Sequence, residues 1–272
     1  MKISIITPSY NQAEFIERTI LSVITQKWDF ELEYIIMDGG STDNTIKIIQ
    51  NLEFRIQNWK IKTHCKKINF IWRSEKDKGQ SDAINKWLKL ATWDIVTYLN
   101  SDDTYEPGAL AHVVKYLWRS DKMRCYGKCR IIDTQDKEIR KWITWYKNLL
   151  WGKYSYAKLL SENFISQMTV FWKKEVMGEL GYFDINEHLC MDYEYRLRIG
   201  AKYAPVYIPQ YLSNFRFYQT SKSWSRFVNQ FTDELRIARK YARGGHKWAL
   251  FLHRINYYKI VMAYKILHLF KI

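Results

Sequence analysis

The chain has few of the residues that would make it a disulfide-stapled or membrane-spanning protein. Only four cysteines occur in 272 residues, namely Cys65, Cys125, Cys129 and Cys190. Cys125 and Cys129 have no second ligand pair, so the set does not read as a zinc site; it reads as reduced thiols of a cytosolic protein. No run of about 18 uncharged apolar residues is present to span a bilayer. The apolar stretch from Ile3 to Thr7 is too short for the core of a signal peptide and leads straight into a polar turn. No internal repeat or low-complexity linker interrupts the chain. Acid is absent from the last stretch, since no Asp or Glu follows Glu234.

What is present is an ordinary globular composition, 47% hydrophobic, on a chain long enough to bury a sizeable core. Short apolar runs alternate with helical patterns four times in the first hundred residues. Lys2 to Thr7, Leu32 to Met37, Ile68 to Trp72 and Ile95 to Leu99 read as strands. Between them, Ile16, Ile20, Val23 and Ile24 mark one helix, Ile46, Ile48 and Ile49 a second, and Ala83, Ile84 and Leu88 a third. Each strand runs into polar or flexible residues. This is the pattern of a parallel sheet with a ligand crevice at its carboxyl edge. A further strand is expected from Phe164 to Trp172, and a helix opening at Asp192.

The fourth strand carries the most chemistry. It ends in Asn100-Ser101-Asp102-Asp103, so an amide and two carboxylates emerge together at the sheet edge. Hard oxygen ligands of this kind suit Mg²⁺ or Mn²⁺ shared between a few carboxylates and a diphosphate. Alternatively, the same residues make a solvated turn that caps the next helix.

Taken together, Thr7-Pro8-Ser9-Tyr10-Asn11, Asp38-Gly39-Gly40-Ser41-Thr42-Asp43, the Asp77 to Lys86 segment, Asn100-Ser101-Asp102-Asp103 and Met191-Asp192-Tyr193-Glu194 resemble the inverting, nucleotide-sugar-dependent glycosyltransferases of family 2. The resemblance covers roughly residues 1 to 225. It implies a GT-A fold, an α/β structure whose Rossmann-like mixed sheet is flanked by helices. It divides the chain into a catalytic domain over 1–225 (a nucleotide-sugar-binding half over 1–120, an acceptor half over 121–225) and a helical, basic extension over 226–272.

The resemblance also implies roles. Thr7, Pro8, Tyr10 and Asp38 bind the nucleoside part of the donor, Tyr10 by its flat face and Asp38 by accepting from a uracil-like N–H. Arg73 meets the base or the phosphates, Asp82 lies near the ribose and sugar, and Asn100 and Ser101 complete the donor site. Asp102 ligates the cation directly and Asp103 through water. Asn100 stands where the family commonly has a carboxylate, which weakens the metal site by one charge. Asp192 is the base that deprotonates the acceptor, with Glu194 as the alternative. Arg216 and Lys222 reach the diphosphate from a segment that closes over it, in which Tyr218 stands where the family often has His. The implied partners are a nucleotide sugar, UDP-linked by preference, and a glycan or lipid-linked acceptor in surface polysaccharide assembly.

Two features fall outside that pattern. Trp87 and Trp93 occupy places where the family has Gly at or near a helix end, and twelve Trp is high for the length. Left-handed backbone there would favour Gly, which suggests a UGA codon meaning glycine in the source but translated as Trp. The second is the tail. It carries Arg236, Arg239, Lys240, Arg243, Lys247, Arg254, Lys259, Lys265 and Lys271 among Trp248, Phe251, Ile255, Tyr257 and Tyr258, within a chain of formal net charge +15. Such a stretch reads as an amphipathic helix on the anionic inner face of a membrane, hinged at Gly244-Gly245; packing of its apolar side on the catalytic domain is the other reading. High charge and 17% aromatics also fit a nucleic-acid-binding protein, but strand-end carboxylates would repel phosphate without a metal. A catalytically silent nucleotide-binding homologue is a third reading.

Overall fold

The computed structural model describes residues 1–89, 94–219, 221, 227–242 and 245–269. The first half alternates as the sequence pattern predicts: β1 (Lys2–Ser9), α1 (Ile16–Ile24), β2 (Lys27–Asp38), α2 (Thr45–Gln57), β3 (His64–Ser74), α3 (Gln80–Leu88) and β4 (Ile95–Tyr98). Then follow β5 (Thr104–Tyr105), α4 (Ala109–Val113), β6 (Arg124–Ile132), α5 (Lys141–Trp151), α6 (Tyr156–Ser161), β7 (Phe171–Lys173), α7 (Glu175–Leu180), α8 (Met191–Gly200), β8 (Val206–Arg216), α9 (Phe227–Tyr241) and α10 (Lys247–Leu269).

Among the described residues, eight strands form one sheet in the order β3-β2-β1-β4-β7-β6-β8-β5. β3, β2, β1 and β4 run parallel, and antiparallel β7 joins that block to β6 and β8. The sheet is mixed and flanked by helices, as the resemblance implies. Ile3, Ile5 and Ile6 of β1 are fully buried because helices cover both faces, which is why β1 reads as a continuous apolar run. In α1 the buried residues Ile16, Ile20, Val23 and Ile24 form one stripe at helical spacing against that sheet. The register aligns Ser9 with Asp38 and Asp38 with Ser74, so three strands deliver their last residues to one edge.

The strand expected from Phe164 to Trp172 shrinks to Phe171–Lys173. Upstream, Gln167–Thr169 is a 3₁₀ turn. The Thr169 hydroxyl and backbone N–H donate to the Ser166 carbonyl at 2.7 and 3.1 Å, a local bonding pattern that competes with a sheet ladder.

Trp87 does not occupy a position that needs glycine. It lies inside α3, is 6% exposed and belongs to the core, and the residue that closes α3, Lys89, has φ −65°. The left-handed geometry that motivated a glycine reading is absent there. Trp93 lies outside the described residues. Trp28 belongs to β2, where it is in register with Cys65 of β3.

The tail is built into the body. α9 packs on α8 and α6, and α10 on α9 and α6. His253 Nδ1 lies 2.7 Å from the Leu160 carbonyl, and Asn256 donates to the Ser161 carbonyl at 3.1 Å. No helix among the described residues is long and apolar enough to cross a membrane. Gly245 has φ +135°, whereas Gly244, the other half of the expected hinge, lies outside the described residues.

Candidate active site

The carboxyl edge of the parallel strands opens into a cleft of about 680 Å³. Pro8, Tyr10, Asn100, Ser101, Asp102 and Asp192 all line it. The structure thus brings together the ends of β1 and β4 and the start of α8, which are 184 residues apart between Pro8 and Asp192.

On the donor side the predicted residues divide. Tyr10 is 59% exposed, with a ring face open for stacking. Gly39 closes in behind it: a Cβ there would meet the Asp77 carboxylate at 3.0 Å and the Tyr10 ring at 3.5 Å. Thr7 is fully buried one step back in β1, its hydroxyl 3.1 Å from that of Tyr34, and does not reach the cleft. Asp38 is also fully buried. Its carboxylate accepts from the backbone N–H of Gly40 and Ser41 at 3.0 and 2.8 Å, from the Ser74 hydroxyl at 2.6 Å and from the Ser41 hydroxyl. About four acceptor positions is the capacity of a carboxylate, so Asp38 organises the glycine turn instead of receiving a base. The buried Ser9 hydroxyl, in contrast, lines the cleft without a partner among the described residues.

Arg73 and Asp82 also stand away from the cleft. The Arg73 guanidinium lies over the Trp87 ring at 5.2 Å. Asp82 pairs with Lys86 at 3.3 Å and accepts from the Lys78 N–H at 3.2 Å, which holds its carboxyl below the usual range. The residues this segment does offer are Asp77, Gly79 and Gln80.

At the end of β4 the four-residue motif separates into surface and support. Asp102 lines the cleft and accepts from the Tyr218 hydroxyl at 2.9 Å, so the residue standing in place of a family His does touch the key carboxylate. Asp103 is fully buried. One of its oxygens accepts from the Arg216 N–H at 2.9 Å and the other from the Asn100 amide at 3.1 Å. Burial, with the neighbouring Asp102 charge, pushes its carboxyl well above the usual range. It braces the loop and is not a water-mediated ligand. Asn100 is held in turn by Gln80, whose amide donates to it at 2.7 Å.

Arg216 lines the cleft, but its side chain also holds the fold together. It is fully buried at the end of β8, and its guanidinium donates to the Asp102 carbonyl at 2.7 Å, the Asp133 carbonyl at 2.6 Å and the Asp136 carboxylate at 2.5 Å. One of these bonds fixes the Asp102 loop and two tie Arg216 to the turn over 133–136, which uses three of the five guanidinium N–H donors. Lys222 lies outside the described residues.

On the acceptor side Asp192 opens α8, where backbone N–H groups favour a carboxylate. One oxygen accepts from the Tyr193 N–H and the other from Arg196, both at 2.8 Å. The same Arg196 nitrogen donates to Asn163 at 2.8 Å, and Asn163 donates to Glu234 of α9 at 2.9 Å. Burial lifts the Glu234 carboxyl from 4.5 to about 7, and the Asp192 charge adds to the rise. Lys147 of α5 also faces this side, where burial lowers its amine. The alternative base, Glu194, is buried and turned to Arg198 and the Tyr241 hydroxyl. Sequence reasoning missed Asn163, Glu234 and Lys147. Arg196 was findable, because four residues after Asp192 is one helical turn on the same face.

Among the described residues, no group of three or more His, Cys, Asp or Glu side chains is placed to hold an ion. The donor set still suits a hard cation, because Mg²⁺ takes one or two protein carboxylates and completes its shell with substrate phosphates and water. Of the two adjacent carboxylates in this loop, Asp102 is the one that lines the cleft.

Residues 4–179 match the model of glycosyl transferase family 2. An uncharacterized glycosyltransferase of Nostoc sp. is 34% identical over 139 residues, which cover 51% of this chain and 40% of that protein. The chain therefore spans well under two thirds of that relative. Among solved structures, Staphylococcus aureus TarS 1-349 in complex with UDP-GlcNAc superposes with a TM-score of 0.62 at 14% identity, covering 90% of this chain and 67% of that one. A mannosyltransferase of Pyrobaculum calidifontis in complex with GDP-Man and Mn²⁺ gives 0.62 at 18% identity, covering 93% and 73%. At such identities these likenesses establish the fold. Asp192, Tyr218 and Glu234 lie beyond the matched residues, so their place in the site rests on geometry.

Proposed function

The chain belongs to glycosyl transferase family 2, and from that premise we propose that it is a metal-dependent inverting glycosyltransferase. It moves a sugar from a nucleoside diphosphate, UDP-linked by preference, to a glycan or lipid-linked acceptor in surface polysaccharide assembly. One observation carries the reading: Asp102 and Asp192, from the two halves of the chain, line a single cleft, each held by its own partner, Tyr218 for the first and Arg196 for the second.

In this mechanism Tyr10 receives the base, and Pro8 and Ser101 shape the donor wall. Asp102 would hold Mg²⁺ or Mn²⁺. When bound, the cation neutralises the diphosphate and stabilises charge on the departing group. Asp192 takes the proton from an acceptor hydroxyl. That oxygen bonds to the anomeric carbon as the bond from this carbon to the diphosphate oxygen breaks, and the electron pair leaves with the nucleoside diphosphate. A single displacement inverts the centre. Arg196 keeps the Asp192 carboxylate aimed. The cationic tail supports a further part of the reading, a cytoplasmic enzyme peripheral to the inner face of the membrane.

The test is a screen of nucleotide sugars by thermal shift, with UDP-sugars first, each with Mg²⁺, Mn²⁺ or chelator. Stabilisation by a nucleotide sugar that needs the cation and disappears in Asp102→Ala supports the reading. Cation-independent stabilisation that survives Asp102→Ala contradicts the metal role.

A further inference from the structure

Two helices present apolar residues to water. On α5, Trp142, Trp145 and Leu149 are 67%, 64% and 59% exposed. On α10, Trp248, Phe251, Ile255, Tyr258 and Met262 are 69%, 48%, 48%, 70% and 62% exposed. Both sets follow the three-and-four spacing of a single helix face. They are not the faces that hold the helices to the body. α5 is anchored through buried Thr144 and through Asn148, which donates to the Tyr211 hydroxyl at 3.1 Å. α10 is anchored through Ala249, His253 and Val261, which are 5%, 4% and 8% exposed.

The stripes meet at their edges. The Lys259 amine lies 5.1 Å from the centre of the Tyr146 ring. Tyr146 neighbours Trp145 and Lys259 neighbours Tyr258 in sequence, so this contact joins the rim of one stripe to the rim of the other. Neither helix contains an acid. Lys141, Lys247, Arg254 and Lys259 are exposed around the apolar residues.

We propose that α5 and α10 together form one docking face for an anionic lipid bilayer. This rests on the peripheral-membrane reading above and extends it to α5, which lies in the catalytic half. Exposed aromatics and aliphatics ringed by cations match the region where acyl chains meet anionic headgroups. A second copy of the chain is disfavoured as occupant, because a symmetric contact would bring two acid-free basic faces together. RNA is disfavoured because Leu149, Ile255 and Met262 offer nothing to bases or phosphates.

The face also sits beside the acceptor side of the cleft. Lys147, which lines the cleft, is two residues from Trp145. That is about 200° around the helix, so α5 alone separates bilayer from cleft there. An acceptor embedded in the same bilayer would reach the cleft around a single helix.

The experiment is co-sedimentation of the full chain with phosphatidylcholine vesicles containing half phosphatidylglycerol, and with phosphatidylcholine alone. The variants are Trp142→Ser/Trp145→Ser on α5, Phe251→Ser/Tyr258→Ser on α10, and Trp142→Phe/Trp145→Phe as a conservative control, each checked for an unchanged melting transition. The proposal expects binding to anionic vesicles only, a loss of about tenfold or more in partitioning for each serine pair, and retention in the phenylalanine pair. If the α5 serine pair partitions like wild type while the α10 pair does not, the two-helix face is refuted and a tail-only anchor stands. If wild type ignores anionic vesicles, both readings fail. Dimers or an RNA complex broken by the α5 substitutions, without vesicle binding, would assign the face to those partners and overturn the proposal.

Discussion

Arg196 lies one helical turn after Asp192 and donates to its carboxylate at 2.8 Å, while the same nitrogen donates to Asn163 at 2.8 Å. The proposed base is thus locked to a buried arginine, which is 3% exposed, and cannot swing freely. A carboxylate so held is restricted to one direction of proton transfer, and its aim is set by a residue that needs no contact with substrate.

Arg196→Gln should therefore lower kcat about 10- to 100-fold with little change in donor KM, since orientation of a general base contributes only where the proton moves. Steady-state kinetics with varied donor concentration check this. A change in donor KM alone, with kcat intact, would move Arg196 to the donor site.

Asn100→Asp is a sharper test of the loop. A second carboxylate at this place looks like restoration of a family metal ligand, but the Asn100 amide donates to buried Asp103 at 3.1 Å. An aspartate would remove that donor and set two acids together. The variant should be destabilised by about 1–3 kcal/mol at neutral pH, with the loss shrinking as pH falls and one acid gains a proton. Chemical denaturation at pH 5 and pH 8 measures it. Equal stability at both would show that the Asn100 amide is dispensable.

Glu234 should make stability depend on pH. Burial keeps its proton on in the folded chain up to about 7 against 4.5 for the ordinary group. Below 4.5 both states are protonated and the group contributes nothing. From there to about 7 the unfolded chain releases a proton that the folded chain retains, so folded stability falls as pH rises, by on the order of 3 kcal/mol in total. Glu234→Gln removes that fall, and its melting temperature should exceed wild type at pH 8 and approach it at pH 5. A variant less stable than wild type at pH 8 would show that the charged form is the one the site stabilises.

Much of the architecture was legible because strand ends carry both period and chemistry. The run from Ile95 to Leu99 could only be a buried strand, and its sudden change to Asn100 and two acids placed the cleft. Which of those residues faces the cleft was not legible. Asp102 and Asp103 are adjacent in the turn after β4, yet one lines the cleft and the other is buried in the core. Asp38 and Arg216 were hard to read for a related reason: charged residues at loops look available for ligands, yet here they are engaged by backbone groups and by side chains such as Ser41, Ser74 and Asp136 that come close only in the fold. Glu234 and Asn163 were out of reach, because their link to Asp192 depends on how α9 packs against α8. The tail's outer stripe was visible as composition, but its continuation onto α5 required knowing that Tyr146 and Lys259 meet.

The central claim, that Asp192 is the base of a single inverting displacement, is tested most directly by following the anomeric configuration of the product by NMR in wild type and Asp192→Asn. The account predicts inversion in wild type. In the variant it predicts unchanged melting and donor affinity, with transfer reduced by about 10²- to 10⁴-fold. Retention of configuration, or transfer by the variant at the wild-type rate, would contradict it.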